Sequence, residues 1–258
     1  MSQLFFETSA RSAVGLVRKG NEDSAFTSSR VIAVADGMGG HAAGEVASRI
    51  AISKLAEITE VITNPEIDSE SAEDLFSGAL HTIDLEIKEE TEENSQLSGM
   101  GTTLTSLFII DEKVSLMHIG DSRAYRLRGN TLEQLSHDHT VIQELLSQGA
   151  ISEADIATHP QRSVLTQVLM GEGAHSAPLL IVDGKVNDRY LLCSDGLSSV
   201  LTEKEIKSLI KGKNRQQAVD GLIDATYING APDNVTVIIA DVVEEVSENV
   251  SQKIGAAQ

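Results

Sequence analysis

The chain has 258 residues, enough for one large domain or two small ones, and its 41% hydrophobic content suffices for a core that Val, Ile, Leu and Ala must fill, since aromatics are 3% and Trp is absent. A formal net charge of -19 speaks against nucleic acid or an anionic membrane as partner, and no run approaches the ~18 apolar residues of a membrane span. The single cysteine, Cys193, excludes an internal disulfide, and MSQLFFETSARSAVG lacks a secretory leader's basic-then-apolar pattern. A reducing cytoplasm is the simplest setting, with the cytoplasmic face of a membrane-anchored protein as the alternative.

In chain order, VIAVA (31–35) reads as a buried strand that ends in Asp36-Gly37. From Ala43 to Ile58 the spacing turns helical, with Ala47, Ile50, Ala51, Leu55 and Ile58 on one face. A second helix is predicted from about Ser71, where Ser71 and Asp74 form a capping box. It buries Phe76, Ala79, Leu80, Ile83 and Ile87 and ends in the solvated acidic stretch EIKEETEEN. Over 101–136, GTTLTSLFII, KVSLMHIG, RAYRLRG and TLEQLS read as short strands. The links Asp111-Glu112 and Gly129-Asn130 are short enough to force antiparallel pairing.

Residues 138–175 read as helical and irregular, with a Thr140-capped helix ending near Gly149, and are the best candidate for a mobile flap. RYLLCS (189–194) is another buried strand, two helices begin at Thr202 and Asn214, and VTVIIADVV (235–243) is the last strand. No repeat or linker divides the chain. We therefore expect a single domain over 1–243 and a loose tail or linker over 244–258. Hairpins in the middle with helices grouped between them predict an α+β fold. That weakens a second reading of Gly37-Met38-Gly39-Gly40-His41-Ala42 as a dinucleotide fingerprint, which needs a parallel strand-helix-strand unit.

The carboxylates carry more weight than the glycines. Asp36, Asp121 and Asp195 stand at C-terminal ends of predicted strands, and Asp233 stands before the start of another. In antiparallel neighbours one strand's end lies beside the other's start, so all four can converge on one edge. Buried carboxylates in one place repel unless protons or cations intervene. Hard oxygen ligands suit Mg²⁺ or Mn²⁺. Asp183-Gly184 also follows an apolar run and reads as a plain turn. Upstream, Arg18 offers a bidentate fork for a phosphate, and Glu22 and Asp23 offer acceptors for metal-bound water.

These residues fall into a known pattern. RKGNED (18–23), VADGMGGH (34–41), GTT (101–103), GDSR (120–123), CSDGL (193–197) and PDNVT (232–236) resemble, in order and spacing, the type-2C (PPM-class) metal-dependent serine/threonine protein phosphatases, in their bacterial form. The resemblance spans about residues 10 to 243. It implies a central pair of antiparallel sheets flanked by helices, with a two-metal centre at one edge. It also implies that Asp36 bridges two Mn²⁺ or Mg²⁺ ions, that the Gly37 carbonyl binds the second, and that Asp195 and Asp233 bind the first. Asp23 and Glu22 would act through metal-bound water, and Arg18 would grip the substrate phosphate. A third ion would take Asp121, shared with Asp195, and in some relatives Ser163. Where some members carry a proton-donating histidine directly after the Asp-Gly, this chain has Met38. The general acid is then His41, a metal-bound water, or none.

The implied activity is hydrolysis of phosphoserine and phosphothreonine in proteins by a metal-activated water, without a phosphoenzyme. Partners would be phosphorylated proteins, among them a cognate kinase and its substrates, and the chain would act as a monomer. Other routes fail on the residues: six positions after Cys193 stands Ser199 rather than the arginine of a cysteine phosphatase, and Gly37-Met38 follows Asp36 where a phosphoaspartyl enzyme has D-x-D. Ser136-His137-Asp138-His139 reads as structural. A non-catalytic metal-binding scaffold of the same fold is the rival from another class, with a metal sensor as a third idea.

Overall fold

The computed structural model describes residues 3–39, 43–62, 69–110, 112–173, 177–246 and 250–258. In chain order the elements are β1 (Phe5–Ala13), β2 (Asp23–Thr27), β3 (Val31–Met38), α1 (Ala43–Ile62), α2 (Ser69–Glu93), β4 (Gly101–Thr102), β5 (Leu104–Ile110) and β6 (Lys113–Ile119). There follow β7 (Arg123–Arg128), β8 (Thr131–Gln134), α3 (Val141–Ser147), β9 (Leu180–Asp183), β10 (Arg189–Cys193), α4 (Asp195–Ser198), α5 (Glu203–Ile210), α6 (Arg215–Ile228), β11 (Val235–Val243) and β12 (Gln252–Gly255).

Two antiparallel sheets pack face to face. One has five strands in the order β1-β11-β10-β7-β8, and the other has seven, β12-β2-β3-β5-β6-β9 with β4 beside β3. Strand alternation sends Val31, Ala33 and Ala35 against α1 and α2, while Ile32 and Val34 meet the opposite sheet. On β11, Val235, Val237 and Ile239 pack under α5 and α6, and Ile238, Ala240 and Val242 meet the other sheet. Covering both faces of each sheet explains why the central strands are unbroken apolar runs. The α+β sandwich expected from the sequence is therefore the fold. Among the described residues no helix is long and apolar enough to cross a membrane.

Several expectations need correction. Two strands precede the first one expected: β1 runs along β11 from Phe5↔Val243 to Ala13↔Val235, and β2 pairs with β3. Their Ser-, Ala- and Thr-rich sequences carry no apolar alternation, and the partner strands supply the order. β3 continues past Asp36, because β4 pairs Gly37↔Thr102 and Met38↔Gly101. Helix α2 starts at Ser69, so Ser71 lies inside its first turn rather than capping it. The last residues do not trail off: β12 adds to the edge of β2, and the Ala256 N–H donates to the Asp23 carbonyl at 2.8 Å.

Asp183-Gly184 is not a hairpin turn either, since β9 belongs to one sheet and β10 to the other. The crossing is fixed by buried Asp188, which accepts from Arg128 Nε and Nη2, both at 2.6 Å. The segment expected to form a flap hangs on two anchors. At its start, His139 and Gly120 exchange two hydrogen bonds, and Thr140 caps α3. At its return, the buried Asp84 carboxylate of α2 accepts from the N–H groups of Met170, Gly171 and Gly173 at 2.8–3.2 Å.

Candidate functional site

The register Asp23↔Asp36 places two acidic residues side by side on β2 and β3. Asp121 follows β6, where the chain crosses to β7 in the other sheet. Asp195 opens α4 directly after β10, and Asp233 precedes β11, the antiparallel neighbour of β10. The converging-ends argument therefore holds in space. Asp36 feels Asp23, Asp195, Asp121 and Asp233 electrostatically, in that order.

Local bonding fixes this edge. The Asp36 N–H donates to Thr103 Oγ1 at 3.0 Å, and the Thr103 N–H donates to the Asp36 carbonyl at 2.9 Å. Thr103 Oγ1 also meets Ser122 Oγ at 2.9 Å, which ties the Asp121 turn to Asp36. Gly37 is required for close approach: a Cβ there would run into the carbonyl oxygens of Gly44 and Glu22. Helix α1 can therefore begin directly against the strand. Asp23 is buried, and its Oδ2 accepts from Ser194 Oγ at 2.7 Å. Ser194 Oγ in turn accepts from the Thr236 N–H at 3.0 Å. One carboxylate thus stitches the two sheets together.

The loop carrying Arg18 is latched by Asn234. Its Oδ1 accepts from the Glu22 N–H at 2.8 Å, and its Nδ2 donates to the carbonyls of Val14 at 2.8 Å and Gly20 at 2.9 Å. Arg18 Nη2 donates to Asp233 Oδ2 at 2.7 Å, and Nη1 lies 4.0 Å from Glu22 Oε2.

Burial is the largest cause of every carboxyl shift here. Asp23 is pushed up to about 7, with its bonds from Ser194 and Thr236 opposing and the charges of Asp195 and Asp233 adding. Asp121 is also pushed up to about 7, by burial and then by Asp195 and Asp138. Asp36 is held well above the ordinary range, and Asp195 and Glu22 are raised. The neighbouring Asp36 carboxyl opposes part of the rise at Asp195, which burial and then the charge of Asp233 cause. Arg18 is raised, chiefly by its bond to Asp233.

Among the described residues, no group of three or more acidic, histidine or cysteine side chains stands ready-made around an ion. Two of the carboxylates are closed on other partners instead: Asp23 on Ser194 and Asp233 on Arg18. The donor set nevertheless fits hard divalent cations, because it is all oxygen, buried and mutually repelling. A cation would relieve what protons and Arg18 now relieve.

The structure brings together Arg18, Glu22, Asp23, Asp36, Gly37, Asp121, Asp195 and Asp233. It does not bring Ser163 to them: Ser163 is exposed in the flap, and no hydrogen bond among the described residues ties it to the aspartates. His41 lies outside the described residues. In Ser136–His139, Asp138 accepts from Arg123 Nη2 at 2.6 Å and from Gln134 Nε2 at 3.0 Å, and the His118 ring stacks 4.9 Å from that of His139. That segment is structural. Cys193 is buried with its thiol pushed up to about 12, so it is no nucleophile. Sequence reasoning gave no role to Thr103, Ser122, Ser194, Thr236 or Asn234. Their only signal was to lie in or beside the acidic motifs.

Comparison with known proteins gives a match to the family described as Protein phosphatase 2C over residues 21–222. The chain is 40% identical over 244 residues to the serine/threonine protein phosphatase PstP of Mycobacterium tuberculosis, covering 93% of this chain and 46% of that protein. It thus spans about half the length of that relative. It is 34% identical to the serine/threonine phosphatase stp of Listeria welshimeri, covering 88% of this chain and 92% of that one. Among solved structures, the catalytic domain of PstP in complex with two manganese ions superposes with a TM-score of 0.84 at 37% identity, over 93% of this chain and 99% of that one.

Proposed function

The chain belongs to the protein phosphatase 2C family, and from that premise we propose that it hydrolyses phosphoserine and phosphothreonine in proteins by attack of water, with no phosphoenzyme. The observation that carries this reading is the edge where Asp23, Asp36, Asp121, Asp195 and Asp233 meet beside Arg18. A scaffold would not need an arginine fork aimed at that edge.

Asp36, the Gly37 carbonyl, Asp195 and Asp233 would hold two Mn²⁺ or Mg²⁺ ions, with Asp23 and Glu22 acting through water, and Asp121 serving a third. When bound, such ions activate water at neutral pH and offset charge on phosphoryl oxygens. The chain's own residues do the rest. Arg18 releases Asp233 and takes the substrate's phosphoryl oxygens in its planar fork, where its charge also favours the transition state. Thr103 holds the Asp36 backbone at both N–H and carbonyl, and Ser194 holds Asp23, so the acceptors need little reorganisation. The proton for the leaving serine or threonine oxygen would come from His41, from a metal-bound water, or from neither. Its partners are phosphoproteins, including a cognate kinase, met in the cytoplasm by a monomer.

The test is hydrolysis of a phosphothreonine peptide with Mn²⁺ present, then with excess chelator. We expect turnover that chelation abolishes. Turnover that survives chelation would sink the mechanism.

A further inference from the structure

The loop that carries Arg18 also carries an apolar surface. Leu16 is 63% exposed, Val17 is 70% exposed, and Ile228 at the end of α6 is 85% exposed. The two segments are held together: the Gly15 N–H donates to the Tyr227 hydroxyl at 3.1 Å, and the Leu16 N–H donates to the Ala231 carbonyl at 2.9 Å. Asn234 fixes the same loop from the other side through Val14 and Gly20. The exposed side chains therefore stand on a backbone tied in place, and lack of packing space does not explain them. Apolar side chains exposed on adjoining segments, rimmed by polar residues, fit a contact surface.

Position selects the occupant. Val17 adjoins Arg18, and Ile228 lies on the helix end that supports the loop. Any phosphoryl group gripped by Arg18 brings its flanking residues over this surface. Building on the phosphatase reading, we propose that Leu16, Val17 and Ile228 form a docking surface for apolar residues flanking the phosphoserine or phosphothreonine of a protein substrate. The surface sets which phosphosites are accepted and takes no part in the chemistry.

The test compares wild type with a Leu16→Ser, Val17→Ser double variant and with Ile228→Ser. Substrates are a phosphothreonine peptide with leucine flanks, the same peptide with glycine flanks, and p-nitrophenyl phosphate. In wild type, kcat/KM should be about tenfold higher for the leucine-flanked peptide, as partial burial of one or two side chains warrants. Both variants should lose most of that preference through KM, because such contacts are made equally in ground and transition states. Activity on p-nitrophenyl phosphate should stay unchanged. Equal wild-type rates on the two peptides, or variants that slow p-nitrophenyl phosphate as much as the leucine peptide, would overturn the proposal. If no substrate turns over, the phosphatase reading itself fails. Fluorescence anisotropy with the two peptides then decides the surface: a leucine preference lost in the variants supports it, and equal binding rejects it.

Discussion

Arg18 Nη2 donates to Asp233 Oδ2 at 2.7 Å, so the group read as a phosphate grip closes on a group read as a metal ligand. The guanidinium is half exposed and free to leave. A surface pair of this kind contributes about 0–1 kcal/mol, a small barrier to exchanging one anion for another. We expect Arg18→Ala to raise KM for a phosphothreonine peptide by roughly tenfold or more while kcat falls less, since phosphate grip is partly uniform binding. Steady-state kinetics decides, and a fall in kcat alone would contradict the assignment.

Asp36→Asn and Asp195→Asn should each lower kcat by roughly a thousandfold or more, because each removes an acceptor from the cation-holding edge. Stability should move the other way. Removing one of several repelling buried carboxyls relieves the fold, so the melting temperature in chelator should hold or rise by about 2–4 °C. Wild-type turnover in either variant would remove these residues from the site.

Ser194→Ala deletes the donor to Asp23 Oδ2 without replacing any proposed ligand. Such supporting partners typically carry roughly 10- to 100-fold in cation affinity. Calorimetric titration with Mn²⁺ should show a loss of that size, and Ser194→Thr, if its hydroxyl reaches the carboxylate, should recover part of it. Unchanged affinity in the alanine variant would mean that the bond serves folding alone.

Asp23 and Asp121 hold their protons up to about 7, well above an ordinary aspartate. Without cations the folded chain therefore binds these protons more tightly than the unfolded chain does. That contribution to stability is fully present below about pH 4, the unfolded value, and is lost as pH rises through about 7. Thermal unfolding in chelator should show a falling melting temperature from pH 5 to 8. Excess Mn²⁺ should stabilise more at pH 8 than at pH 5, since it competes with protons. A flat profile in chelator would refute the shifts.

Asp84 accepts from three N–H groups at the flap's return. Asp84→Ala leaves those donors without their carboxylate, at a cost of about 1–3 kcal/mol. Hydrogen exchange should quicken at 170–173, with β10 and β11 unchanged. Uniform quickening would point to global destabilisation instead.

The sequence was most readable where one physical demand dominated. VIAVA, RYLLC and VTVIIA announce strands because both faces of their sheets are covered, and the Thr202 and Asn214 caps mark two helix starts to the residue. The acidic edge was readable because antiparallel pairing forces strand ends together. FFETSARSA and DSAFT were not readable, since small and polar residues become strands there only through their partners. Ser194, Thr236 and Thr103 stayed hidden for a related reason: a hydroxyl in a strand has no periodicity, and its value depends on which carboxylate or amide lies across the sandwich.

The proposed ligands are divided between the layers: Asp23 and Asp36 belong to one sheet, Asp195 and Asp233 flank strands of the other, and Asp121 lies on the crossing between them. Neither sheet alone inherits a working centre. Duplicating, excising or grafting half of this fold would yield a fragment with no ancestral activity to select on. Diversification of such a chain is thereby channelled into the segments around the seam, such as the Arg18 loop and the flap, while the two layers must descend together.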